Sequence, residues 1–299
     1  IFAYLLIENL LTAILMGIAQ VAGMDVGYCY SDGTVYGNQT AVLVILMCKT
    51  VLKFLVPVLI LRCCFRMPRR VAYHWKLDSP REFPAAIAVT LIVFAVANVW
   101  LLFSPVNFLS SSTLGEAYYT VSYMRRSYQI VYLVFEVLAI SICKELLLHG
   151  DMLHVLRQFW DAVILTAVGA VCLSHSCTTI LMELTFSLVS GVAVLRSGSV
   201  VPAIFCRLLY HVMLFGLFAM EIWQSSFWQA YRPLFLFLVL IAGILLCLLS
   251  IRPTRKNPAL LTQKHYLTLR ERLYTVMHVG PLSIVLILCV ILMVIEVIF

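Results

Sequence analysis

Two pairs of polar residues, each spaced four positions apart, stand in otherwise apolar stretches of the sequence. They are Glu145 with His149, and Arg207 with His211. Residues four apart lie on the same face of an α-helix, so each pair predicts two neighbouring polar side chains. A carboxylate beside an imidazole can act in general acid–base catalysis, and both groups are also ligands for zinc and iron. These residues are therefore the first candidates for a functional site.

A metal site is one interpretation of this pattern. Its ligands would be one carboxylate and three imidazoles, from Glu145, His149, His175 and His211. Lys144 and Arg207 are close to these ligands in the sequence, and their positive charges would repel a metal ion. We therefore expect no metal ion and no other cofactor.

Further ionisable residues crowd the same stretch of the chain, namely Glu136, Lys144 and Glu183. Charged side chains within a membrane are costly, and they usually face the interior of the helix bundle and pair with one another. The structural interpretation is an ion-pair cluster in which three acids (Glu136, Glu145 and Glu183) neutralise Lys144 and Arg207. Spacing alone favours neither this cluster nor a functional site.

The elements that must position these residues are predicted to be transmembrane helices. Hydrophobic residues make up 63% of the 299 residues, charged residues make up 12%, and the mean hydropathy is +1.02. A membrane-spanning helix needs about 20 mostly apolar residues. We predict an all-α polytopic bundle, forming a single domain over 1–299, with nine spans at 1–22, 41–61, 84–103, 127–148, 162–175, 178–195, 200–219, 230–250 and 281–299.

The fifth and sixth predicted spans are short and nearly continuous, so an eight-span bundle is the alternative. With the N-terminus on the inner side, fourteen Lys and Arg residues fall in inner loops, at 62–81, 157, 196 and 252–272. Only Arg125, Arg126 and Arg232 fall in outer loops. Because eight spans would move the basic segment 252–272 outside, the positive-inside rule favours nine. The net charge of +7 then reflects topology and does not indicate nucleic-acid binding.

Three blocks of sequence resemble the motifs of the CAAX protease and bacteriocin-processing (CPBP) family. Residues 144–150, KELLLHG, resemble its first motif, Glu-Glu-x-x-x-Arg followed by Gly. Residues 171–175, VCLSH, resemble its second motif, Phe-x-x-x-His. Residues 191–211 resemble the third region, with a Gly, an Arg-Thr-Gly-Ser-like turn, a Pro, and then His-x-x-x-Asn or Asp. The order and spacing of all three blocks match over about 127–219.

The resemblance implies a CPBP-like core over 127–219, followed by C-terminal helices over 220–299. In that family a glutamate activates water for peptide hydrolysis in the membrane, and histidines help to bind water and stabilise the oxyanion. The resemblance places Glu145 and His175 at retained catalytic positions. Four other motif positions are substituted: the first glutamate by Lys144, the arginine by His149, the second histidine by Arg207, and the asparagine by His211.

These substitutions predict a scaffold that has lost catalysis, because a protonated lysine is a poor base and an arginine stays protonated. We expect a structural or accessory subunit of a membrane complex, with the lipid bilayer and other membrane-protein subunits as partners. One alternative is a divergent intramembrane endopeptidase of CAAX-type substrates that uses Glu145 and His175. Another is a transporter in which embedded Lys, Glu and His residues relay protons. The endoplasmic reticulum, mitochondrial inner, plastid and bacterial plasma membranes all fit this sequence.

Overall fold

The computed structural model describes residues 2–28, 35–65, 75, 82–103, 113–153, 177–222 and 226–250, and this part of the chain is mostly helical. The helices are α1 (Phe2–Val21), α2 (Gln39–Phe65), α3 (Glu82–Phe103), α4 (Thr113–Val121), α5 (Arg126–Glu145), α6 (Cys177–Ser197), α7 (Val201–Ile222) and α8 (Ser226–Ser250). A π-helical turn, Leu146–Met152, follows α5 directly. Two short strands, β1 (Val26–Tyr28) and β2 (Val35–Gly37), form an antiparallel hairpin.

The prediction of a helical membrane protein is confirmed in part, because the structure contains helices that can span a membrane. Three described segments are long and apolar enough to cross a membrane: Gln39–Cys63, Val201–Ala219 and Tyr231–Ser250. Shorter apolar helices occur at Leu10–Val21, Phe83–Asn98 and Glu183–Leu195. The count of nine spans is not confirmed, and the fifth and ninth predicted spans lie outside the described residues.

Helices α2 and α5 run side by side in the same direction. Near their first residues, the hydroxyl oxygens of Thr40 and Tyr128 are 3.0 Å apart. Near their far ends, Arg62 Nε donates to the Asp151 carboxylate over 3.2 Å. This is the direction that the positive-inside assignment gives to both segments, from the outer to the inner side.

Helix α6 also runs parallel to α5. Lys144 contacts Glu183, and further along both elements His149 contacts the Ser187 carbonyl. The nine-span order requires this parallel arrangement, whereas fusing the fifth and sixth spans would make the two helices antiparallel. The direction of α6 is the one that the nine-span order predicts, and the number of spans itself stays a prediction.

An apolar core between α1, α2, α4, α5 and α7 holds these helices together. Its fully or nearly fully buried members include Val42, Leu46, Val121, Leu133 and Leu217. A smaller apolar cluster joins α2, α5 and the π-helical turn through Phe54, Val58, Ile140, Leu147 and Leu148. Burial of a Leu or Phe side chain outside a membrane contributes about 1.5–3 kcal/mol, but in lipid the gain comes from close packing. These two clusters fix α5 beside its polar neighbours.

Helix α8 packs on α3 through a glycine. A Cβ atom at Gly243 would lie 2.9 Å from Cγ1 and 3.1 Å from the backbone nitrogen of Ile92. Small residues let transmembrane helices approach closely in this way. Most of the remaining surface of α8 is apolar and exposed, including Leu238, Leu245 and Leu249. That surface is suited to lipid or to another membrane protein.

The β-hairpin is an exception to the predicted all-α fold, and the sequence analysis assigned no strand there. Val26 pairs with Gly37, whose φ of +122° favours glycine. A Cβ atom at this position would lie 2.3 Å from the Asp25 carbonyl oxygen. The Tyr123 hydroxyl donates to the Val35 carbonyl, which ties the hairpin to the segment between α4 and α5. The strands are short and lack an alternating apolar pattern, and Gly37 supplies a backbone conformation that other residues rarely adopt.

Candidate functional site

The candidate site lies where the end of α5, the π-helical turn, α6 and α7 meet. The chain passes from α5 into the π-helical turn with helical dihedral angles at Leu146 (φ −62°, ψ −39°), and the Leu153 N–H donates to the Leu148 carbonyl five residues earlier. Such wide turns occur frequently at functional sites. This turn carries His149 and Asp151, and both are fully buried.

Glu145 is the centre of the polar network. Its Oε1 accepts a hydrogen bond from Arg207 Nε, and its Oε2 is hydrogen-bonded to His149 Nδ1. The residue is 0% exposed. Both carboxylate oxygens of Glu145 are thus occupied by protein groups.

Arg207 connects α7 to both α5 and α6. While its Nε donates to Glu145, its Nη1 lies 3.2 Å and 3.1 Å from the two carboxylate oxygens of Glu183. Its guanidinium carbon lies 4.7 Å from the ring centroid of Phe186, within the range of cation–π attraction. The planar fork of an arginine suits this simultaneous contact with two carboxylates.

Lys144 completes the charge balance of the network. Its ammonium group donates to Glu183 Oε1 over 2.8 Å. Lys144 and Arg207 contribute two positive charges, and Glu145 and Glu183 contribute two negative ones. The ion-pair cluster, one of the two interpretations left open by the sequence, therefore forms with these four residues. Of the four side chains, Glu183 is the most exposed, at 15%.

His149 links the π-helical turn to α6. Its Nδ1 faces Glu145, and its Nε2 lies 3.1 Å from the Ser187 carbonyl oxygen. These contacts on opposite sides of the ring fix its orientation between the helices. The Glu145–His149 pair predicted from the four-residue spacing is thus present as a direct contact.

His211 contacts α5 one turn away from Glu145. Its Nδ1 lies 3.1 Å from Ser141 Oγ and 3.0 Å from the Arg207 carbonyl oxygen. Ser141 Oγ in turn donates to the Val137 carbonyl over 2.6 Å. Arg207 and His211 are four residues apart and share one face of α7. Because α7 runs antiparallel to α5, they contact successive turns of α5, at Glu145 and at Ser141.

The residues of the alternative metal site are only partly brought together. Glu145 and His149 are in contact, but His211 is hydrogen-bonded to Ser141. His175 lies outside the described residues. No group of three or more His, Cys, Asp or Glu side chains arranged to hold a metal ion occurs in the part of the chain that the structure describes.

The ion-pair interpretation also included Glu136, and this part of it is wrong. Its carboxylate accepts a hydrogen bond from Thr50 Oγ1 of α2 over 2.6 Å. Nine residues separate Glu136 from Glu145, which corresponds to about 180° around a helix and about 13 Å along it. The two carboxylates therefore point to opposite sides of α5.

The sequence analysis did not single out Asp151, which is fully buried and pairs with Arg62. An ionised acid next to an apolar span needs a charged or polar partner. The position of Asp151 in the sequence therefore already indicated a contact of this kind. The partner itself was not predictable, because Arg62 is 89 residues away in the chain.

Comparisons with protein-family models, with curated proteins and with solved structures gave no match to this chain. The functional interpretation therefore rests on the motif resemblance and on the geometry of the buried network.

Proposed function

We propose that this chain is a membrane scaffold or accessory subunit with a CPBP-like core that has lost peptide hydrolysis. The observation that carries the proposal is the engagement of Glu145, whose two carboxylate oxygens are bound by Arg207 and His149 in a fully buried position.

A general base must reach the proton of a water molecule that is itself next to the substrate. Glu145 has no exposed surface, and each of its oxygens already has a protein partner. Arg207 stays protonated under all ordinary conditions, so it remains the ion partner of this carboxylate. In this arrangement the glutamate stabilises the bundle and does not activate water.

The substituted motif positions support the same proposal. Lys144 and Arg207 stand where the family has a glutamate and a histidine, and their charges are balanced within the cluster by Glu145 and Glu183. The resulting contacts hold α5, α6 and α7 in one register. Buried ionic groups of this kind can specify a unique packing even where they add little net stability.

A peptidase assay tests the loss of catalysis. Purified protein in lipid vesicles is expected to leave a prenylated CAAX peptide intact, and the Glu145→Ala variant is expected to do the same. An active CAAX protease in identical vesicles serves as the positive control for the peptide and the lipid. Turnover by the unmodified chain that disappears in Glu145→Ala would contradict the proposal and would make Glu145 a working base.

The accessory role has a separate test. Extraction in a mild detergent is expected to yield a complex larger than the 33.8 kDa chain, with other membrane proteins present in fixed ratio. Light scattering with refractive-index detection separates protein mass from detergent mass. A lone monomer with nothing co-purifying would contradict the role as a subunit, whatever the peptidase assay shows.

A further inference from the structure

Three buried polar atoms at the junction of α6 and α7 have no hydrogen-bond partner among the described residues. They are Ser187 Oγ, Ser190 Oγ and Arg207 Nη2. The three residues are 0%, 1% and 2% exposed, so bulk solvent does not reach these atoms. A buried polar group without a partner costs free energy, and such groups in proteins are usually bonded to an ordered molecule when the chain itself supplies no partner.

The two serines differ in this respect from other hydroxyl groups in the helices. The hydroxyl groups of Thr90, Ser141 and Ser250 each donate to the carbonyl oxygen four residues earlier. A bond of this kind to its own helix is a common way in which a serine or threonine is satisfied within a helix. Ser187 and Ser190 make no such bond, so their hydroxyl groups are available to a ligand.

The fold brings the side chain of Arg207 alongside the two serines. Helices α6 and α7 are joined by a short turn at Gly198 and pack against each other in antiparallel directions. Ser190 lies eight residues before Gly198 and Arg207 lies nine residues after it, so the two are at about the same level along the helices. From this level the Arg207 side chain extends to Glu183, two turns earlier on α6. Ser187 lies between these two levels and shares a face of α6 with Glu183.

A further contact places the guanidinium group beside Ser187. The guanidinium carbon of Arg207 lies 4.7 Å from the ring centroid of Phe186, the residue before Ser187. The backbone carbonyl oxygen of Ser187 lies 3.1 Å from His149 Nε2, so the π-helical turn is the third element at this junction. The unpartnered atoms of α6 and α7 therefore belong to one buried region.

The chemistry of these atoms defines the ligand. A guanidinium nitrogen only donates, whereas a serine hydroxyl group donates and accepts, so the ligand must accept hydrogen bonds and can also offer them. It must be neutral, because two glutamates already balance the charges of Lys144 and Arg207. An added anion would be buried without a counter-charge. It must also be small, because the residues around it are almost fully buried.

We propose that Arg207 Nη2, Ser187 Oγ and Ser190 Oγ bind one ordered water molecule within the helix bundle. A buried water typically makes about three hydrogen bonds to polar groups that otherwise lack partners. This water links α6 to α7 and joins the serines to the ion-pair network. The site uses only atoms that the ion pairs leave free, so it does not depend on whether the chain hydrolyses peptides.

Radiolytic labelling of the full chain in lipid vesicles tests the site. A short X-ray pulse converts water into hydroxyl radicals, and a buried ring is oxidised where a bound water lies beside it. Phe186 is the reporter, because its ring is 5% exposed and packs on the guanidinium group. Phe94 is the matched control, since it is 0% exposed and both rings pack on Tyr210, with centroids 5.6 Å (Phe94) and 5.8 Å (Phe186) away.

We expect peptide mapping by mass spectrometry to show a gain of one oxygen atom on Phe186 and not on Phe94. The double variant Ser187→Val/Ser190→Val removes both hydroxyl groups and fills their surroundings with methyl groups, so the label on Phe186 should be lost. The control variant Ser250→Val should keep it. An unlabelled Phe186 in the unmodified chain, or a label that persists in the folded double variant, would overturn the proposal.

A cryo-electron microscopy map that resolves ordered water is the second measurement and needs no variant. The expected result is a density peak within hydrogen-bond distance of Arg207 Nη2 and of at least one of the two serine oxygens. The peak should remain when gluconate replaces chloride in the buffer. Ordered water elsewhere in the bundle with none at this junction would contradict the proposal, and so would a peak that requires chloride, because the site would then bind an anion.

Discussion

Replacement of Arg207 by methionine is expected to lower the free energy of unfolding by about 3–5 kcal/mol, the usual cost of removing one partner from a buried ion pair. The methionine fills much of the same space but leaves Glu145 without its cation and removes two contacts from Glu183. Both carboxylates then remain buried with a net negative charge. Denaturation by titration with a strong detergent, followed by circular dichroism, measures the change.

Lys144→Met is the matched comparison for Arg207→Met. Lys144 contacts one oxygen of Glu183, and Glu183 retains its two contacts with Arg207 in this variant. We therefore expect a smaller loss, of about 1–3 kcal/mol, typical of one unsatisfied buried partner. The double variant Arg207→Met/Glu145→Gln should recover part of the loss, because it removes the orphaned charge. Equal losses in the two single variants would contradict the larger role that its contacts with two carboxylates give to Arg207.

Gly243→Leu is expected to destabilise the contact between α3 and α8 by about 1–3 kcal/mol, as is typical of overpacking. Even a Cβ atom at this position approaches Ile92 to 2.9 Å and its backbone nitrogen to 3.1 Å, so the helices must move apart. Hydrogen exchange should show faster opening of Ser226–Ser250 than of Arg126–Glu145 in this variant.

Gly216 of α7 is the control, since nothing lies within 4 Å of a Cβ atom built there. Gly216→Ala should be neutral or slightly stabilising, because alanine favours a helix over glycine by about 1 kcal/mol. Gly243→Ala should instead be destabilising despite the same gain in helix propensity. A neutral Gly243→Ala would show that the close approach of α3 and α8 is not required.

The class of the protein was predictable from the chain alone. Long apolar segments form helices in a membrane because every backbone N–H and C=O group must find a partner without water. The close contact of Glu145 with His149 was predictable as well, since helical geometry places residues four apart on one face. The same geometry excludes Glu136 from the site of Glu145, although the sequence analysis did not apply it.

The partners of the buried charges were decided by tertiary structure. Sequence spacing placed Lys144, Glu145, Glu183 and Arg207 on three helices, but their pairing depends on the parallel packing of α6 and the antiparallel packing of α7 against α5. Helix direction and rotation follow from packing between elements far apart in the chain, and local propensity does not encode them. Residue types and local spacing therefore determined which charges enter the helix bundle, and long-range packing decided which of them neutralise one another.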